Sequence, residues 1–432
     1  MTPDTATPPP DTQSSTRKSL ALAGLLALGH CAAFADRNLP GVAAPLLKAD
    51  LNLTDAQLGL LMGPAFAVLY AAGMLLTLPL AHSKHRFRLL AACIATWVLG
   101  MAGFALARNF AGLFAARALV GLGQSAFVPL ALGLIVEDAA PRWRARSVAL
   151  FTAGSAIGRS AALLAGGLAL ALLARWAPTL GMTHWRLLFL IMAAPNLLLI
   201  GVLLRCRERP PQSPGSAASL AQIVGWMRRR PALALLYLYG AGGSVLVVQT
   251  IGAWAPSVLH REQGLAPAAA ALAFGAMLLV ASPLGHMLAG SLVDTRHRKI
   301  TPTAITAGGL LLALPLLWAI PHAGSAQIAC ALMALISLVG GAAAVAALVG
   351  LPAMLPPPLR APAVRLFLVF TTVTGVGLGP FLAGVVSDGL AEHGNGLSTA
   401  LRLVCASVAL SGAIAAWLAR NGWRHAAQEV AA

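Results

Sequence analysis

Twelve apolar stretches, each of about 18 residues or more, run along this chain. A helix of that length crosses the roughly 30 Å hydrocarbon core of a bilayer. Since no water reaches the backbone there, the N–H and C=O groups must be satisfied within the segment, which favours helices. We predict spans at about 19–47, 56–81, 88–107, 110–136, 146–173, 186–204, 232–259, 267–293, 300–320, 325–351, 362–387 and 398–419.

Composition supports a membrane protein over a soluble one. Of 432 residues, 58% are apolar and 10% are charged. This balance leaves too little polar surface to cover a soluble globule. We therefore predict an all-α membrane protein with twelve transmembrane helices and the lipid bilayer as its main environment.

The basic residues are distributed by loop. The net charge is +17, and 21 of the 30 Lys and Arg residues lie at the termini or in every second loop. Six lie in the opposite loops and three lie within spans. By the positive-inside rule, both termini and the basic loops are predicted to be cytoplasmic, in a cell inner (plasma) membrane. The basic excess is thus explained by topology, and we expect no nucleic-acid partner.

The longest polar interruption divides the chain into two halves. Residues 206–231 are predicted to form a cytoplasmic linker between a six-helix half at 19–205 and a second one at 232–420. Residues 1–18 are rich in Thr, Pro, Ser and Asp and predict a disordered cytoplasmic tail, without a signal-peptide pattern. Residues 421–432 are predicted to form a second cytoplasmic tail.

The halves resemble each other at matching places. Ala44-Pro45 parallels Ala255-Pro256, and each pair closes one span before the next begins. Farther along, three residues align at constant offset with three others, namely Pro141, Arg144 and Phe151 with Pro357, Arg360 and Phe367. Duplicated six-helix halves are typical of rocker-type transporters, whose binding site lies at mid-depth between the halves.

Charged residues deep within the spans, away from their ends, are confined to the first half. A charge at bilayer depth costs several kcal/mol, so it persists where it faces a protein interior or a water-filled path. In the repeat comparison these residues fall opposite apolar residues or glycine. The pairs are Asp36 with Val247, Arg37 with Val248, Arg117 with Met333, Gln124 with Gly340 and Arg159 with Gly375. An architectural role would recur in both copies, so the asymmetry favours a functional site.

Helical spacing groups several of these residues. Arg117, Gly121 and Gln124 share one helix face. Arg117 is therefore placed to pair with Asp36, either as part of a binding site or as a buried ion pair that only fixes packing. Arg159 lies 13 positions beyond Arg146, or about 20 Å at helical rise, which is too deep for a side chain that reaches the membrane surface.

The interior thus holds three arginines against one aspartate. Buried guanidinium groups seek carboxylate or phosphate, so we predict a solute with an anionic group and an apolar remainder. His30 and His286 also lie within spans, where a polar contact between helices is favoured over a proton relay.

The loop after the eighth span carries a recognisable pattern. Residues 290–299 read G-x-L-x-D-x-x-x-R-K, which resembles the major facilitator superfamily. The resemblance implies the major facilitator fold and a cytoplasmic gate in which the Asp pairs with basic residues. The equivalent first-half loop keeps basic residues but lacks the Gly and the Asp. The gate residues we expect are Asp294, Arg298, Lys299, Arg86 and Arg144.

Further motifs resemble the spinster-like branch of that superfamily, over nearly the whole of residues 20–420. They are Asp36-Arg37, residues 53–61, residues 117–126, His184-Trp185-Arg186, residues 207–210 and residues 379–388. Members of the branch carry a Glu where this chain has Gln124, and the resemblance implies that this Glu and the Asp of the first span suit proton or cation coupling. Since Gln cannot titrate, any proton coupling through a buried acid must use Asp36.

We therefore expect a secondary active transporter that works by alternating access as a monomer. Asp36, Arg37, Arg117, Gln124 and Arg159 are predicted to line its substrate or coupling site. The resemblance implies lysophospholipids, sphingoid phosphates or other amphipathic organic anions as cargo. The alternatives are a drug-type exporter and a non-transporting lipid scramblase or receptor.

Other classes of function lack their signatures. The sequence offers no nucleophile, base and oxyanion-donor set and no phosphate-binding loop, which argues against an enzyme. The five cysteines form no CxxC pair and have no His partner at ligand spacing. We expect no metal, cofactor or disulfide.

Overall fold

Helices make up the described structure, in which no strand occurs. The computed structural model of the protein describes residues 10–77, 83–139, 141–208, 220–294, 300–390 and 396–431. The α-helices are α1 (Pro10–Leu51), α2 (Asp55–Met62), α3 (Pro64–Leu76), α4 (Arg86–Leu106), α5 (Phe110–Ser125), α6 (Phe127–Asp138), α7 (Pro141–Leu180), α8 (His184–Arg205), α9 (Leu220–Arg229), α10 (Pro231–Arg261), α11 (Pro267–Asp294), α12 (Pro302–Ala319), α13 (Ala326–Gly350), α14 (Pro357–Thr371), α15 (Gly379–Gly389) and α16 (Gly396–Ala431). A π-helical segment, Thr372–Leu378, joins α14 to α15.

Twelve spans are long and apolar enough to cross a membrane, which confirms the predicted all-α architecture. Two termini separated by twelve crossings lie at one membrane face, which we name the terminal face; the other is the opposite face. In chain order, spans 1 to 12 are Ser19–Leu51, Asp55–Leu76, Arg86–Leu106, Phe110–Asp138, Arg146–Ala174, His184–Arg205, Pro231–Arg261, Pro267–Val293, Pro302–His322, Ala326–Met354, Pro357–Gly389 and Gly396–Ala431.

Helix extends into the segments predicted as tails and linker. α1 begins at Pro10, within the 1–18 segment for which we predicted disorder, and α16 continues to Ala431. The linker, predicted at 206–231, contains α9. The length of an apolar stretch predicts only the part of a helix that crosses lipid. The helix itself can continue beyond that part, because its backbone hydrogen bonds do not require apolar side chains. Residues 1–9 and 209–219 lie outside the described residues.

The two halves meet along three pairs of spans. Span 2 packs against span 11, span 5 against span 8 and span 1 against span 7. Within the halves, span 1 packs mainly on span 5, and span 7 packs on span 12. These arrangements place span 1, which carries the interior Asp-Arg pair, next to the second half.

Glycine allows backbone-to-backbone contact between the halves. A Cβ atom added at Gly59 of span 2 would lie 2.5 Å from the carbonyl oxygen of Pro380 in span 11. A Cβ added at Gly41 of span 1 would lie 2.8 Å from the carbonyl oxygen of Ala253 in span 7. Neither position has room for a side chain, so both glycines are needed for this close approach.

An ion cluster lies across the halves at the opposite face. The Asp55 carboxylate is 3% exposed and accepts from Lys48 Nζ at 2.5 Å and from Arg261 Nη1 at 2.8 Å. Ser387 Oγ also donates to it at 2.7 Å. We name Lys48, Asp55, Arg261, Ser387 and Asp388 the interhalf cluster.

Asp388 completes this cluster by capping a helix of the other half. Its carboxylate oxygens accept from the backbone N–H groups of Asp55 and Ala56, each at 2.8 Å. These are the first two residues of α2, whose N–H groups have no partner inside the helix. A carboxylate at a helix N-terminus is also favoured by the helix dipole. The second half thus holds the start of span 2 in place.

The terminal face, in contrast, is open between the halves. A cavity of about 660 Å³ separates spans 2 and 4 from span 11 at the ends nearest this face. The halves therefore touch near the opposite face and part near the terminal face.

We expect Gly59→Ala to lower the apparent melting temperature of the purified protein by several degrees, because overpacking costs about 1–3 kcal/mol. Gly308→Ala is the matched control, since nothing lies within 4 Å of a Cβ atom at that helical position. Equal melting temperatures for the two variants would show that spans 2 and 11 are not tightly packed.

We expect Asp55→Asn to weaken closure at the opposite face, because Lys48 and Arg261 lose their shared counter-charge. A cysteine placed at Gln249, between the halves, reports opening when the five native cysteines are replaced. A membrane-impermeant maleimide added at the opposite face is expected to label this cysteine about tenfold faster, for a loss of about 1.4 kcal/mol.

Asp50→Asn is the control for this measurement. Asp50 binds Trp185 at 2.9 Å and Arg186 at 3.6 Å, both within the first half. Its loss leaves the contacts between the halves intact. The same labelling rate in both variants would exclude the interhalf cluster as a closing contact.

Candidate functional site

Arg117 binds three backbone carbonyl groups, two of which helix breaks leave without a helical partner. Pro40 lies four residues after Asp36 and has no N–H group, so the Asp36 carbonyl lacks its helical partner. Arg117 Nη1 donates to that oxygen at 3.5 Å, and Nη2 donates to the carbonyl of Arg37. In span 2, Leu61 lies in the last turn of α2, where carbonyls lack helical partners. Arg117 Nε donates to its carbonyl at 3.2 Å.

The guanidinium of Arg117 therefore joins spans 1, 2 and 4. It is 1% exposed and supplies the several fixed donors that such a junction requires. The expected ion pair between Arg117 and Asp36 is not formed. Among the described residues, no side-chain cation lies within salt-bridge distance of the Asp36 carboxylate. Arg117 uses the backbone of Asp36 rather than its side chain.

Asp36 instead binds an amide from span 6. Asn196 Nδ2 donates to Asp36 Oδ2 at 2.9 Å, and each residue is 1% exposed. Asn196 Oδ1 is buried with no hydrogen-bond partner in the described structure. An amide can donate to an ionised carboxylate or accept from a protonated one, so this pair accommodates either state of Asp36.

Aromatic rings surround the guanidinium of Arg37. Its Cζ atom lies 4.5 Å from the ring centroid of Phe34, 4.5 Å from that of Phe66 and 4.8 Å from that of Tyr70. Its Nη2 and Nε atoms donate to Gln124 Oε1 at 3.3 Å and 3.4 Å. Cation–π attraction and the amide together compensate for the lost hydration of this cation.

Gln124 links Arg37 to the backbone of span 1. While its Oε1 accepts from Arg37, its Nε2 donates to the carbonyl of Ala33 at 2.9 Å. An ionised Glu could accept from Arg37 but could not donate to Ala33. The amide is therefore chemically suited to this place, where spinster-like sequences carry an acid.

Arg159 differs from the other two interior arginines because it has no hydrogen-bond or ion-pair partner among the described residues. Its Nε is buried without a hydrogen bond, and its guanidinium forms no ion pair or hydrogen bond with the described residues. It lies close enough to Arg37 and His286 to interact electrostatically with both. The residue as a whole is half-buried.

The two interior histidines have different surroundings. His30 Nδ1 donates to the carbonyl of Phe151 in span 5 at 2.9 Å, and its ring stacks on that of Phe151 at 4.3 Å. This is the contact between helices that we predicted. His286 of span 8 forms no such bond with the described residues and lies beside Gly341 of span 10.

Arg37 also reaches the boundary between the halves. It lines a small cavity with Asn38 and Gly41 of span 1 and with Gln249 and Ala253 of span 7. The cavity holds about 20 Å³, enough for roughly one water molecule. On this side of the site, closed packing leaves no space for a solute.

The cytoplasmic gate stays a prediction, because Arg86 and Arg144 alone among its expected residues have described side chains. Arg86 Nη2 pairs with Glu137 of the first half at 2.8 Å. Arg144 is exposed, and Asp294 ends α11. Arg298 and Lys299 lie outside the described residues. The ion pair between Arg86 and Glu137 lies within the first half, and it does not bridge the cavity that separates the halves at the terminal face.

Sequence reasoning missed Asn196 and the interhalf cluster. Asn196 follows Pro195 in the apolar span 6, and a lone amide in such a span is itself a signal of a polar partner. Asp388 was noticed only as part of a motif, although an acid at the end of a span, like Asp55 at the start of another, is available for a cap.

Comparisons with known proteins agree with the fold. The family model of the Major Facilitator Superfamily matches residues 26–380. An MFS-type efflux pump of Mycolicibacterium smegmatis is 28% identical over 419 residues, which is 94% of each chain. The 3-(3-hydroxy-phenyl)propionate transporter of Escherichia coli is 28% identical over 305 residues, 67% of this chain and 70% of that protein.

A solved structure extends the likeness to the fold. The inward-facing, unoccupied structure of a bacterial homologue of the human lysosomal transporter Spinster covers 96% of this chain and 97% of its own. The TM-score is 0.79 at 24% identity. This likeness shows that the chain has the same fold. The chain is a multi-pass membrane transporter of a small-molecule solute, not an enzyme, and it belongs to the Major Facilitator Superfamily.

Proposed function

We propose that the protein carries a small organic anion with an apolar part by alternating access. The observation that carries this proposal is the unpartnered guanidinium of Arg159. Arg117 is satisfied by three carbonyls, and Arg37 by an amide and three rings. A half-buried cation without a partner among the described residues is incompletely solvated, and an anionic solute would supply the missing contacts.

The charge of the site favours anions over cations. The predicted site contains three arginines and one carboxylate, and the amide of Asn196 already binds that carboxylate. A drug-type exporter of cations would bring a further positive charge next to Arg159. The Escherichia coli relative transports a phenylpropionate, which joins a carboxylate to an apolar ring. A cargo of that kind fits the charge and the apolar walls.

The conformation supports alternating access. By the positive-inside rule the terminal face is cytoplasmic, in the inner (plasma) membrane, so the protein is open to the cytoplasm and closed outside. Both halves and their contacts lie in one chain, which supports a monomeric carrier. The Mycolicibacterium smegmatis relative is an efflux pump, which supports export as the direction to test first.

We also propose that proton coupling, where it occurs, uses Asp36. This carboxyl lies at mid-membrane depth, contacts no cation and binds an amide that can serve either protonation state. Gln124 cannot titrate, so the central site holds one candidate acid.

Arg159→Gln is expected to weaken binding of 3-phenylpropionate by about tenfold or more, since a hydrogen bond to a charged group is worth about 1.5–3 kcal/mol. Binding of the neutral 3-phenylpropan-1-ol should change little. Equilibrium dialysis of the purified protein with labelled ligand gives both affinities. Arg108→Gln, at an exposed arginine, controls for loss of positive charge.

An equal loss for the acid and the alcohol would reject an anion site at Arg159. Stronger binding of organic cations than of organic anions by the wild type would favour the drug-type exporter. Counterflow of labelled ligand in proteoliposomes distinguishes a carrier from a receptor or a scramblase.

Asp36→Asn is expected to abolish accumulation driven by a pH gradient while counterflow at equal pH continues, because the amide cannot carry a proton. Uptake by this variant should also be independent of pH between about pH 5 and pH 8. Asp50→Asn, at the opposite face, is expected to respond to the gradient as the wild type does. Gradient-driven accumulation in Asp36→Asn would assign coupling to another group.

A further inference from the structure

The cavity at the terminal face has the properties of a binding site of its own. We name it the vestibule; it holds about 660 Å³, within the range of pockets for drug-sized ligands. It lies between Met74 and Thr77 of span 2, residues 128–137 of span 4 and residues 360–368 of span 11. None of the interior residues of span 1, nor Arg117 or Arg159, lines it.

The vestibule is positively charged, and its two arginines belong to the second half. Arg360 and Arg365 line the vestibule, and Glu137 is the acid among its lining residues. Glu137 is already paired with Arg86 at 2.8 Å. Arg360 Nε donates to the carbonyl of Leu355 at 3.1 Å. Arg365 is half-buried and forms no hydrogen bond or ion pair with the described residues.

Its walls are apolar and come from both halves. Val128 and Leu132 of span 4 face Val364 and Leu368 of span 11 across the space. Met74 of span 2 is buried at its edge. An unpartnered guanidinium in an apolar cavity suits a ligand that has an acid at one end and hydrocarbon at the other.

Arg365 has no basic counterpart in the first half. Arg144 corresponds to Arg360 at an offset of 216 residues, and the same offset places Arg365 opposite Ala149. A basic residue needed only for topology would have little reason to face an apolar cavity. Arg365 is therefore specific to the second half, as the interior arginines are specific to the first.

We propose that the vestibule is a second binding site, which takes an amphipathic carboxylate. The acid group binds Arg365 with support from Arg360, and the apolar body lies against spans 2, 4 and 11. This inference deepens the proposed function, since it assigns the same class of cargo an entry site before Arg159. A ligand there contacts both halves and must leave before the terminal face can close.

The test counts binding sites. Labelled 3-phenylpropionate is titrated onto the purified full-length protein in detergent, and the number bound per chain is measured. We expect two sites in the wild type, one in Arg365→Gln, one in Arg159→Gln and none in the double variant. Arg365→Lys should restore the second site, and Arg88→Gln, an exposed arginine at the same face, should keep both.

Three results would overturn the vestibule site. Arg365→Gln could keep two sites, 3-phenylpropan-1-ol could displace the acid from the Arg365 site as well as unlabelled acid does, or added phosphatidylglycerol could displace it, which would make the cavity a lipid site. Loss of a site in Arg365→Gln but not in Arg159→Gln would support the vestibule and overturn the central anion site. Melting curves show that each variant is folded.

Discussion

The structure depends on the hydrogen-bond partners of the charged side chains that lie within the spans. Arg117 binds backbone carbonyls rather than an acid, and Pro40 and the end of α2 leave two of these three oxygens without a helical partner. The guanidinium thereby joins three spans at the depth of the central site. Because Arg117 binds the backbone, the Asp36 carboxylate binds Asn196 instead. Arg37 in turn binds Gln124 and stacks among aromatic rings.

The same logic explains why Arg159 is the functional candidate among the three arginines. A guanidinium that holds helices together is fully occupied in every protonation or ligand state of its neighbours. A guanidinium without a partner keeps its binding capacity for a solute. Arg37 and Arg117 therefore stabilise the contacts between helices, and Arg159 is available to a solute. Arg365 at the terminal face likewise has no hydrogen bond or ion pair with the described residues.

Much of the fold was predictable, and less of the site. Apolar length is a local property, so the twelve spans could be identified from residue order. Helical spacing likewise placed Arg117 and Gln124 on one face. The partner of Asp36 was not predictable in this way, because no local pattern states which face of span 6 meets span 1. The carbonyl acceptors of Arg117 were also not predictable, since every residue has a carbonyl group. Pro40 was the one sequence signal, because it leaves the carbonyl four residues earlier without a helical partner.

The cap that Asp388 forms on α2 has a consequence for how this family member can vary. Its donors are backbone N–H groups of Asp55 and Ala56, which every residue except proline supplies. Side chains at the start of span 2 can therefore change over evolutionary time without loss of this contact, provided that the helix keeps its position. The contact depends on one carboxylate in span 11, so the two halves can diverge in sequence while they still meet in the same register at the opposite face.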